Sequence, residues 1–321
     1  MDALSDVLRA SRLTGGVYLH AEFSEPWCFV AQVKPELCAP FALPARHLIS
    51  FHYIVEGRMS VRVWNGPTIE VGTGEVVLLP RNDPHTFGSD TSLPPADVSK
   101  VIPTREGDGL FQIRHGGDGA VTKVVCGYLG SDDGKENPVI AALPQAFKLG
   151  VEEAGAAEWI RSSFQFAADA VAAGSPGSST VLSKLSELLF VEAVRRYTEK
   201  LPDGETGWLA GLKDPYVSRA LGVLHKDIAK EWTVDDLSRE VGLSRSAFAD
   251  RFSRLIGTSP KQYLTSWRMQ RAAQLLQNSN RSVAQVAEDV GYDSVAAFSR
   301  AFKRVHDCAP ATWRKAQLDE H

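Results

Sequence analysis

The sequence lacks a long apolar run: no stretch approaches the roughly 18 residues that a membrane-spanning helix needs. It has few cysteines, four in 321 residues, and no Cys-x-x-Cys pair, which argues against a disulfide framework or a zinc ribbon. The N-terminal segment contains Asp2 and Asp6 and no apolar core, so it does not resemble a secretory signal. We therefore expect a cytoplasmic protein with no membrane partner.

The rest of the composition is ordinary, with 44% hydrophobic and 23% charged residues, which excludes a disordered, collagenous or coiled-coil chain. A length of 321 residues predicts two domains. The net charge of -4 is uneven, because residues 214–321 hold 16 Lys and Arg against 13 Asp and Glu, a charge of +3 that leaves -7 elsewhere. The charge of the C-terminal part is therefore compatible with a polyanion partner. Because +3 is small, binding would depend on individual arginines and helix N-termini that contact the polyanion.

Residues from about 46 to 129 show the pattern of short β-strands separated by turns. Arg58–Trp64 alternates strictly between apolar and polar side chains and follows a turn signal at Glu56-Gly57. Further apolar runs are Arg46–Val55, Glu75–Leu79 and Val121–Leu129. The pattern predicts an antiparallel sandwich or barrel. Residues 88–120, rich in Gly, Pro, Ser and Asp, predict a long loop.

After Pro144 the periodicity becomes helical. Glu152–Ala172 and Val181–Tyr197 carry apolar residues at helical spacing, and breaks rich in Pro, Gly and Ser follow. The leucine-rich face of Val181–Tyr197 indicates either a dimer contact or packing against the chain's own sheet domain. The predicted domains are 1–145, a sensor, 146–213, a helical linker with the dimerisation helix, and 214–321, an all-α domain.

The strongest feature of the sequence is a repeat in its last third. Each copy has a valine and a glycine eight positions apart, two phenylalanines four apart, and a proline eight positions after the second phenylalanine. The first copy comprises Val234, Gly242, Phe248, Phe252 and Pro260, and the second comprises Val283, Gly291, Phe298, Phe302 and Pro310. Only the gap from glycine to phenylalanine differs, six against seven positions.

Each copy has the pattern of a helix-turn-helix. A first helix begins after an N-cap, Thr233 or Ser282, and ends at a glycine that accepts a left-handed backbone. A second helix follows a cap at Ser244 or Asp293, buries the phenylalanines and leaves its other face free to enter a major groove. The alternative, a helical solenoid, usually needs at least three copies, and a long predicted helix, Pro260–Gln277, separates these two.

These residues resemble the paired helix-turn-helix domain of the AraC/XylS family of transcription regulators. The resemblance covers about residues 214–316, and its motifs are Trp232-Thr-Val-Asp-Asp-Leu, Gly242-Leu-Ser-Arg-Ser-Ala-Phe, Gly257-Thr-Ser-Pro-Lys-Gln-Tyr, Arg268-Met-Gln-Arg-Ala, Val286-Ala-Glu-Asp-Val-Gly-Tyr-Asp-Ser, Phe298-Ser-Arg-Ala-Phe-Lys-Arg and Pro310. The resemblance implies a domain that spans two successive major grooves of double-stranded DNA through two recognition helices, joined by the long central helix.

Transferred position by position, the resemblance implies which side chains touch DNA. The implied base readers are Arg245, Ser246, Ala249 and Asp250 on the first recognition helix and Ser294, Val295, Ala296, Ser299 and Arg300 on the second, and the implied phosphate contacts are Lys261, Lys303 and Arg304. Arg300 is the best candidate for a specific contact, because arginine pairs bidentately with guanine. The alternative for any of these arginines is a solvated salt bridge. Most of the other implied base-contacting side chains are small, so thymine-methyl contacts and DNA shape are expected to contribute to sequence recognition.

A second resemblance concerns the strand-rich part. Gly74, Pro80 and His85 have the spacing of the second motif of the cupin barrels, and Tyr53–Gly57 resembles the end of the first motif. The resemblance covers about residues 15–130 and implies a jelly-roll barrel. In metal-binding cupins the first motif carries a His-x-His and a glutamate, whereas here Ser50 stands at the glutamate position.

Three uses of this barrel remain open. A shifted divalent transition-metal site would use His52 and His85, with His47, His115 or Cys126 as the candidates for a further ligand, and its alternative is a hydrogen-bonded histidine pair. A small-molecule effector would lie among Phe51, His52, Tyr53, Trp64, His85, Phe87 and Phe111, although most such aromatics are core. A redox centre would use Cys28 or Cys38, with Cys126 and Cys308 expected to be packing residues.

The overall expectation is an α+β multidomain protein, with a cupin-like barrel, a helical linker and an all-α domain with two helix-turn-helix motifs. It predicts a one-component transcription regulator that responds to an effector or a stress and has no enzymatic activity. Expected partners are double-stranded DNA, RNA polymerase, a small-molecule effector and a second copy of the chain. The alternatives are a metal-dependent cupin enzyme fused to a DNA-binding domain, or a metal- or redox-sensing regulator.

Overall fold

A computed structural model of the chain describes residues 2–11, 13–34, 47–64, 66–97, 101, 111–131, 137–150, 162, 163, 166 and 177–319. The chain forms two compact units. The sheet unit comprises Arg12–Lys135 and Leu143–Tyr197, and the helical unit comprises Met1–Ser11, Glu136–Ala142 and Thr198–His321. The helical unit thus includes the N-terminal segment and a short internal segment that the predicted domain limits placed in the sensor.

Eleven strands lie in the described part of the sheet unit. In chain order they are β1 (Thr14–Ser24), β2 (Cys28–Ala31), β3 (His47–Glu56), β4 (Arg58–Val63), β5 (Ile69–Gly72), β6 (Val76–Leu79), β7 (His85–Gly88), β8 (Ala96–Asp97), β9 (Phe111–Gly116), β10 (Val121–Ser131) and β11 (Phe147–Leu149). One sheet has the order β11-β6-β3-β10-β1-β9 and the other β5-β4-β7-β2-β8. The β1–β9 and β2–β8 pairings are parallel, and the other recorded pairings are antiparallel.

The helices, also in chain order, are α1 (Ala3–Ala10), α2 (Pro138–Ala142), α3 (Ser178–Lys200), α4 (Trp208–Lys213), α5 (Pro215–Lys226), α6 (Val234–Val241), α7 (Arg245–Ile256), α8 (Pro260–Asn278), α9 (Val283–Asp289), α10 (Val295–His306) and α11 (Pro310–Asp319). Most of α3 belongs to the sheet unit and the others belong to the helical unit. Within the described residues, no helix has the length and apolar character needed to cross a membrane.

Side chains from both sheets meet in one apolar core. The alternation of β4 directs Met59 and Val61 into this core, as the sequence pattern predicted. An aromatic cluster occupies part of it and comprises Phe23, Trp27, Phe29 and Phe87, with ring centroids 4.4–6.2 Å apart. The unit is therefore a two-layer sandwich, and the candidate sensor residues adjoin its aromatic cluster.

Helix α3 packs directly on the first sheet at Gly15. A Cβ atom on Gly15 would lie 2.5 Å from the carbonyl oxygen of Ser183 and 2.8 Å from the Cβ of Ser186, so a larger residue does not fit. The helix therefore packs against the chain's own sheet, one of the two roles that its sequence indicated. Its opposite face leaves Val181 and Leu188 exposed by 45% and 42%.

Replacing Gly15 with alanine is expected to lower the free energy of unfolding by about 1–3 kcal/mol, because an extra methyl group in a packed contact forces the backbone to move. The matched control is Gly72→Ala, since a Cβ there would lie 3.8 Å from the Glu75 carboxylate, an ordinary contact. Urea unfolding measures both. A Gly15→Ala protein as stable as the wild type would contradict the close packing of α3.

The helical unit contains the two predicted helix-turn-helix motifs, α6–α7 and α9–α10, which both pack against the central helix α8. Capping boxes begin α6 at Thr233 and α9 at Ser282, so backbone N–H groups of the first turn have acceptors. Gly242 and Gly291 follow these helices with φ of 80° and 79°, the left-handed conformation that glycine adopts without strain. The local signals therefore predicted these turns correctly.

Two local predictions were wrong. Ser294, not Asp293, caps α10, because the longer gap between glycine and phenylalanine adds one residue to the second turn. Residues 88–120 are not a loop throughout, since β9 lies within them and pairs in parallel with β1. The predicted helix Glu152–Ala172 lies almost entirely outside the described residues.

Candidate functional site

The second helix of the first motif, α7, has one buried and one exposed face. Phe248 and Phe252 are fully buried and pack on each other with centroids 5.7 Å apart. The predicted readers lie on the other face: Arg245, Ser246 and Asp250 are exposed and Ala249 is half-buried. The helix thus presents a mixed polar face of small, basic and acidic side chains.

The corresponding helix of the second motif, α10, repeats this arrangement with a different surface. Its buried pair is Phe298 and Phe302, which lie 5.6 Å apart. The exposed residues among those predicted to touch DNA are Val295, Ala296, Arg300, Lys303 and Arg304, with Ser299 half-buried. Because α10 carries no acidic residue, this face is the more basic of the two.

Several charged residues near α7 are already paired. Arg251 donates to Asp214, with the Nη2–Oδ2 distance 2.5 Å, and this carboxylate also caps α5. Arg245 lies 3.5 Å from Asp235, but both side chains are more than half exposed, so this ion pair contributes little to stability. Arg245 can therefore leave Asp235 and pair with a DNA phosphate. Among the described residues, no ion pair is recorded for Arg300, Lys303 or Arg304. The three cations of α10 are therefore available to a polyanion.

Two of the predicted DNA contacts, Ser294 and Lys261, lie at helix N-termini. The Ser294 hydroxyl accepts the backbone N–H of Ala297 at 3.4 Å as the N-cap of α10, so a base contact from it would compete with capping. Lys261 is exposed in the first turn of α8, where a phosphate would also meet the positive end of the helix dipole. The exposed faces of α7 and α10 thus carry short side chains with cations beside them. Such a surface is suited to the groove of a nucleic acid.

In the sheet unit, the structure brings His52 and His85 together in the buried interior. Their Nε2 atoms lie 2.7 Å apart, and the other ring nitrogen of each has its own partner. His52 Nδ1 lies 3.0 Å from the Sγ of Cys126, and His85 Nδ1 lies 3.0 Å from the carbonyl oxygen of Asp83. We call this chain of Cys126, His52, His85 and the Asp83 carbonyl the thiol–imidazole relay.

Only one placement of protons on neutral groups gives every contact in the relay a donor and an acceptor. The Asp83 carbonyl can only accept, so His85 donates from Nδ1 and accepts at Nε2. His52 then donates from Nε2 and accepts at Nδ1 from the Cys126 thiol. Burial lowers the pKa of His52 well below its ordinary value and that of His85 to about 4, and it raises the pKa of the Cys126 thiol. The relay is therefore neutral at physiological pH.

The side chains of the relay do not converge on one point. The two Nε2 atoms face each other at 2.7 Å, and the Cys126 thiol lies on the opposite side of the His52 ring. Within the described residues, no group of three His, Cys, Asp or Glu side chains is placed to hold a metal ion. Of the two alternatives that the sequence left open, the geometry corresponds to the hydrogen-bonded histidine pair.

The predicted effector residues do not share one side of the sheet, and the side chain of one of them, Phe111, lies outside the described part of the structure. His52 faces the interior, where its ring stacks on Phe87 at a centroid distance of 4.9 Å. Phe51 and Tyr53, as neighbours of His52 on β3, point to the opposite face, where Phe51 packs over Gly127. Trp64 is 79% exposed at the end of β4, away from both. His52, His85 and Phe87 thus remain as the group that lines the interior.

The cysteines that were candidates for redox chemistry give little support to that role. Cys28 is 6% exposed, and burial raises the pKa of its thiol, which disfavours the reactive thiolate. Cys38 lies outside the described residues. Sequence reasoning had treated Cys126 mainly as a packing residue and so missed its bond to His52, which depends on the register of β3 against β10.

Comparison with known proteins gives matches over both parts of the chain. Residues 2–199 match the cupin family, and residues 237–316 match a helix-turn-helix domain family. The chain is 29% identical over 324 residues to the HTH-type transcriptional regulator AlkR of Acinetobacter baylyi, covering 98% of this chain and 99% of that protein.

A second relative and a solved structure are also similar to this chain. A putative AraC-like transcription regulator of Streptomyces lividans is 32% identical over 275 residues, which cover 84% of this chain and 88% of that protein. Among solved structures, a transcriptional regulator with an AraC-type DNA-binding domain from Chromobacterium violaceum aligns with 28% identity over 35% of this chain and 99% of that chain, with a TM-score of 0.33.

Proposed function

The chain belongs to the AraC-type family of DNA-binding transcription regulators with a cupin domain, and on that premise we propose how it reads its operator and receives its signal. We propose that α7 and α10 enter two successive major grooves of one duplex. The observation that carries this proposal is that both helices, in separate motifs on one central helix, bury a phenylalanine pair and expose the opposite face. We also propose that the protein acts in the cytoplasm and contacts RNA polymerase, as regulation of transcription requires.

The two helices are expected to contribute differently. The exposed cations of α10, Arg300, Lys303 and Arg304, favour a tight contact with phosphates and with guanine. The face of α7 offers a single predicted cation, Arg245, together with one acid and small side chains, so it depends more on cytosine amino groups, thymine methyls and groove shape. We call the base pairs that one recognition helix contacts a half-box. We therefore propose that the half-box read by α10 is more strongly specified than the one read by α7.

Selection of duplexes from a randomised DNA library by the full-length protein tests this proposal. The expected result is an enriched sequence with two half-boxes about one helical turn apart, 10–10.5 base pairs between centres. Recovery of unrelated sequences with no shared half-box after repeated rounds would overturn the proposal. Selection at several salt concentrations separates specific binding from phosphate attraction.

We propose that the cupin domain is the sensor and that it has no enzymatic activity. The support is the fully bonded state of the relay, in which each ring nitrogen of His52 and His85 already has a partner. A small-molecule effector would meet the interior group of His52, His85 and Phe87. Metal analysis of the purified protein with turnover assays tests this assignment, and stoichiometric bound metal with product formation would favour the enzyme alternative.

We also propose that the exposed face of α3 joins two copies of the chain. Val181 and Leu188 lie seven positions apart, two turns along the same side of the helix, and both are more than 40% exposed. Leu185, half-buried between them, extends the apolar stripe. A dimer would place two helical units on neighbouring operator sites.

Replacing Leu188 with lysine is expected to convert the dimer to a monomer in sedimentation experiments, because it puts a charge into the centre of the proposed contact. The fold should survive, since the buried face of α3 is unchanged. The matched control is Val121→Lys, another exposed apolar residue of the sheet unit at 40% exposure. Leu188→Lys sedimenting as the wild type would exclude this face as the dimer contact.

A further inference from the structure

One guanidinium group in the helical unit bonds to four backbone carbonyls from two separate segments of the chain. Arg268, near the middle of α8, donates from Nε to the carbonyl of Ile228 at 2.8 Å. Its Nη2 donates to the carbonyls of Ala229 at 3.1 Å and Lys230 at 3.0 Å, and its Nη1 donates to that of Gly291 at 3.1 Å. We call this arrangement the Arg268 clasp.

The clasp joins the second helix-turn-helix motif to the segment that precedes the first motif. Ile228, Ala229 and Lys230 form the segment that leads into α6, the first helix of the first motif. Gly291 is the turn between α9 and α10 in the second motif. Arg268 itself belongs to the helix on which both motifs pack, so one side chain holds three elements in a fixed relation.

The turn of the second motif also touches the segment before α6 directly, backbone against backbone. A Cβ atom on Gly291 would lie 2.3 Å from the carbonyl oxygen of Ala229 and 2.7 Å from Nη2 of Arg268, so the glycine is needed for the approach as well as for its turn. The guanidinium also lies 5.7 Å from the ring of Tyr292, the residue after Gly291. The contact therefore has both a steric and a polar component.

Elsewhere each motif packs mainly on its own stretch of α8. Phe252 of the first motif meets Tyr263 near the start of the helix, with ring centroids 5.8 Å apart. Phe298 and Phe302 of the second motif share a core with Met269 and later residues of α8. Arg268 lies between these two apolar contacts. Its hydrogen bonds are therefore placed to oppose a rotation of one motif about α8 relative to the other.

We propose that the Arg268 clasp fixes the distance and rotation between the two recognition helices and so determines which half-box spacing the protein accepts. This inference rests on the proposed reading of two grooves by one chain. The planar fork of an arginine is required, because it directs several donors in fixed directions at once, whereas a lysine presents a single ammonium group. Arg268 is thus a positioning residue that contacts no base.

The probe for this proposal is the duplex that the full-length wild-type protein selects, together with a version that has one base pair inserted between its half-boxes. The insertion moves one half-box by about 3.4 Å and roughly 34° relative to the other. The wild type is expected to bind the inserted duplex about tenfold or more weakly, because one helix loses its base contacts. Arg268→Met is expected to bind both duplexes with affinities within about threefold of each other.

Matched variants separate positioning from folding. Arg271→Met, one turn along α8, removes a guanidinium that donates to Gln274 of the same helix and should keep the wild-type discrimination. Arg268→Lys, a milder change, should give intermediate discrimination and serves if Arg268→Met does not fold by circular dichroism. If the folded Arg268 variants discriminate between the two duplexes as the wild type does, the clasp does not set the spacing. If the wild type selects no two-box duplex, the proposed function itself fails.

Discussion

Arg300→Ala is expected to weaken binding to the selected duplex by about 1–3 kcal/mol while changing binding to random DNA much less. The reason is that Arg300 is exposed on α10, opposite the buried Phe298 and Phe302, where a guanidinium can reach the major-groove edge of guanine. Specificity should relax at one position of one half-box and stay unchanged in the other. Titration of selected and random duplexes at one fixed salt concentration measures this.

Two control variants define what Arg300 does. Lys303→Ala should weaken binding to both duplexes alike and make the dependence on salt less steep by about one unit, as expected for a phosphate contact. Arg114→Ala removes an arginine that is 85% exposed in the sheet unit and should change neither affinity. An equal loss on selected and random DNA for Arg300→Ala would show that Arg300 holds a phosphate and reads no base.

Acidification from pH 7 to pH 5 is expected to destabilise the sheet unit through the thiol–imidazole relay. Both histidines bind protons less readily in the folded than in the unfolded chain, so their stabilising contribution is fully present above about pH 6.5 and is lost as the pH falls toward 4. For His85 alone, a pKa lowered from 6.5 to about 4 corresponds to about 2 kcal/mol lost between pH 7 and pH 5. Protonation of His85 at Nε2, the nitrogen that accepts from His52, would also break the hydrogen bond between the two Nε2 atoms.

The double variant His52→Gln/His85→Gln isolates this effect. The double variant should be less stable than the wild type at pH 7. The fall in its free energy of unfolding between pH 7 and pH 5 should be smaller than the fall for the wild type by about 2 kcal/mol or more. His225, whose pKa burial lowers to about 3, lies in the helical unit and is present in all these proteins, so its contribution cancels. The matched control is His115→Gln, at an exposed position of β9. An unchanged dependence in the double variant would contradict the neutral relay.

The helical motifs could be predicted from the sequence because their signals are local. The N-caps Thr233 and Ser282, the glycine turns and the phenylalanine pairs all lie within a few residues of one another, and each specifies a backbone conformation or a buried face. The one local error, the cap of α10, arose where the second copy has an additional residue in its turn. The family and its cupin and helix-turn-helix domains were also predicted correctly.

What the sequence did not reveal depends on residues far apart in the chain. The bond between His52 and Cys126 requires the register of two strands that are 74 residues apart. Strand β9 pairs with β1 across a segment whose composition is typical of a loop. The partners of Arg268 are backbone carbonyls, which every residue type carries, so no sequence pattern marks them.

The central claim is that α7 and α10 of one chain read two successive major grooves, and methylation interference at guanine N7 tests it most directly, since that atom faces the major groove. The account predicts two clusters of interfering guanines about 10–10.5 base pairs apart on one face of the selected duplex for each bound chain. Arg300→Ala should remove interference at one guanine of one cluster and leave the other cluster intact. A single cluster, or the loss of both clusters together in Arg300→Ala, would contradict the account.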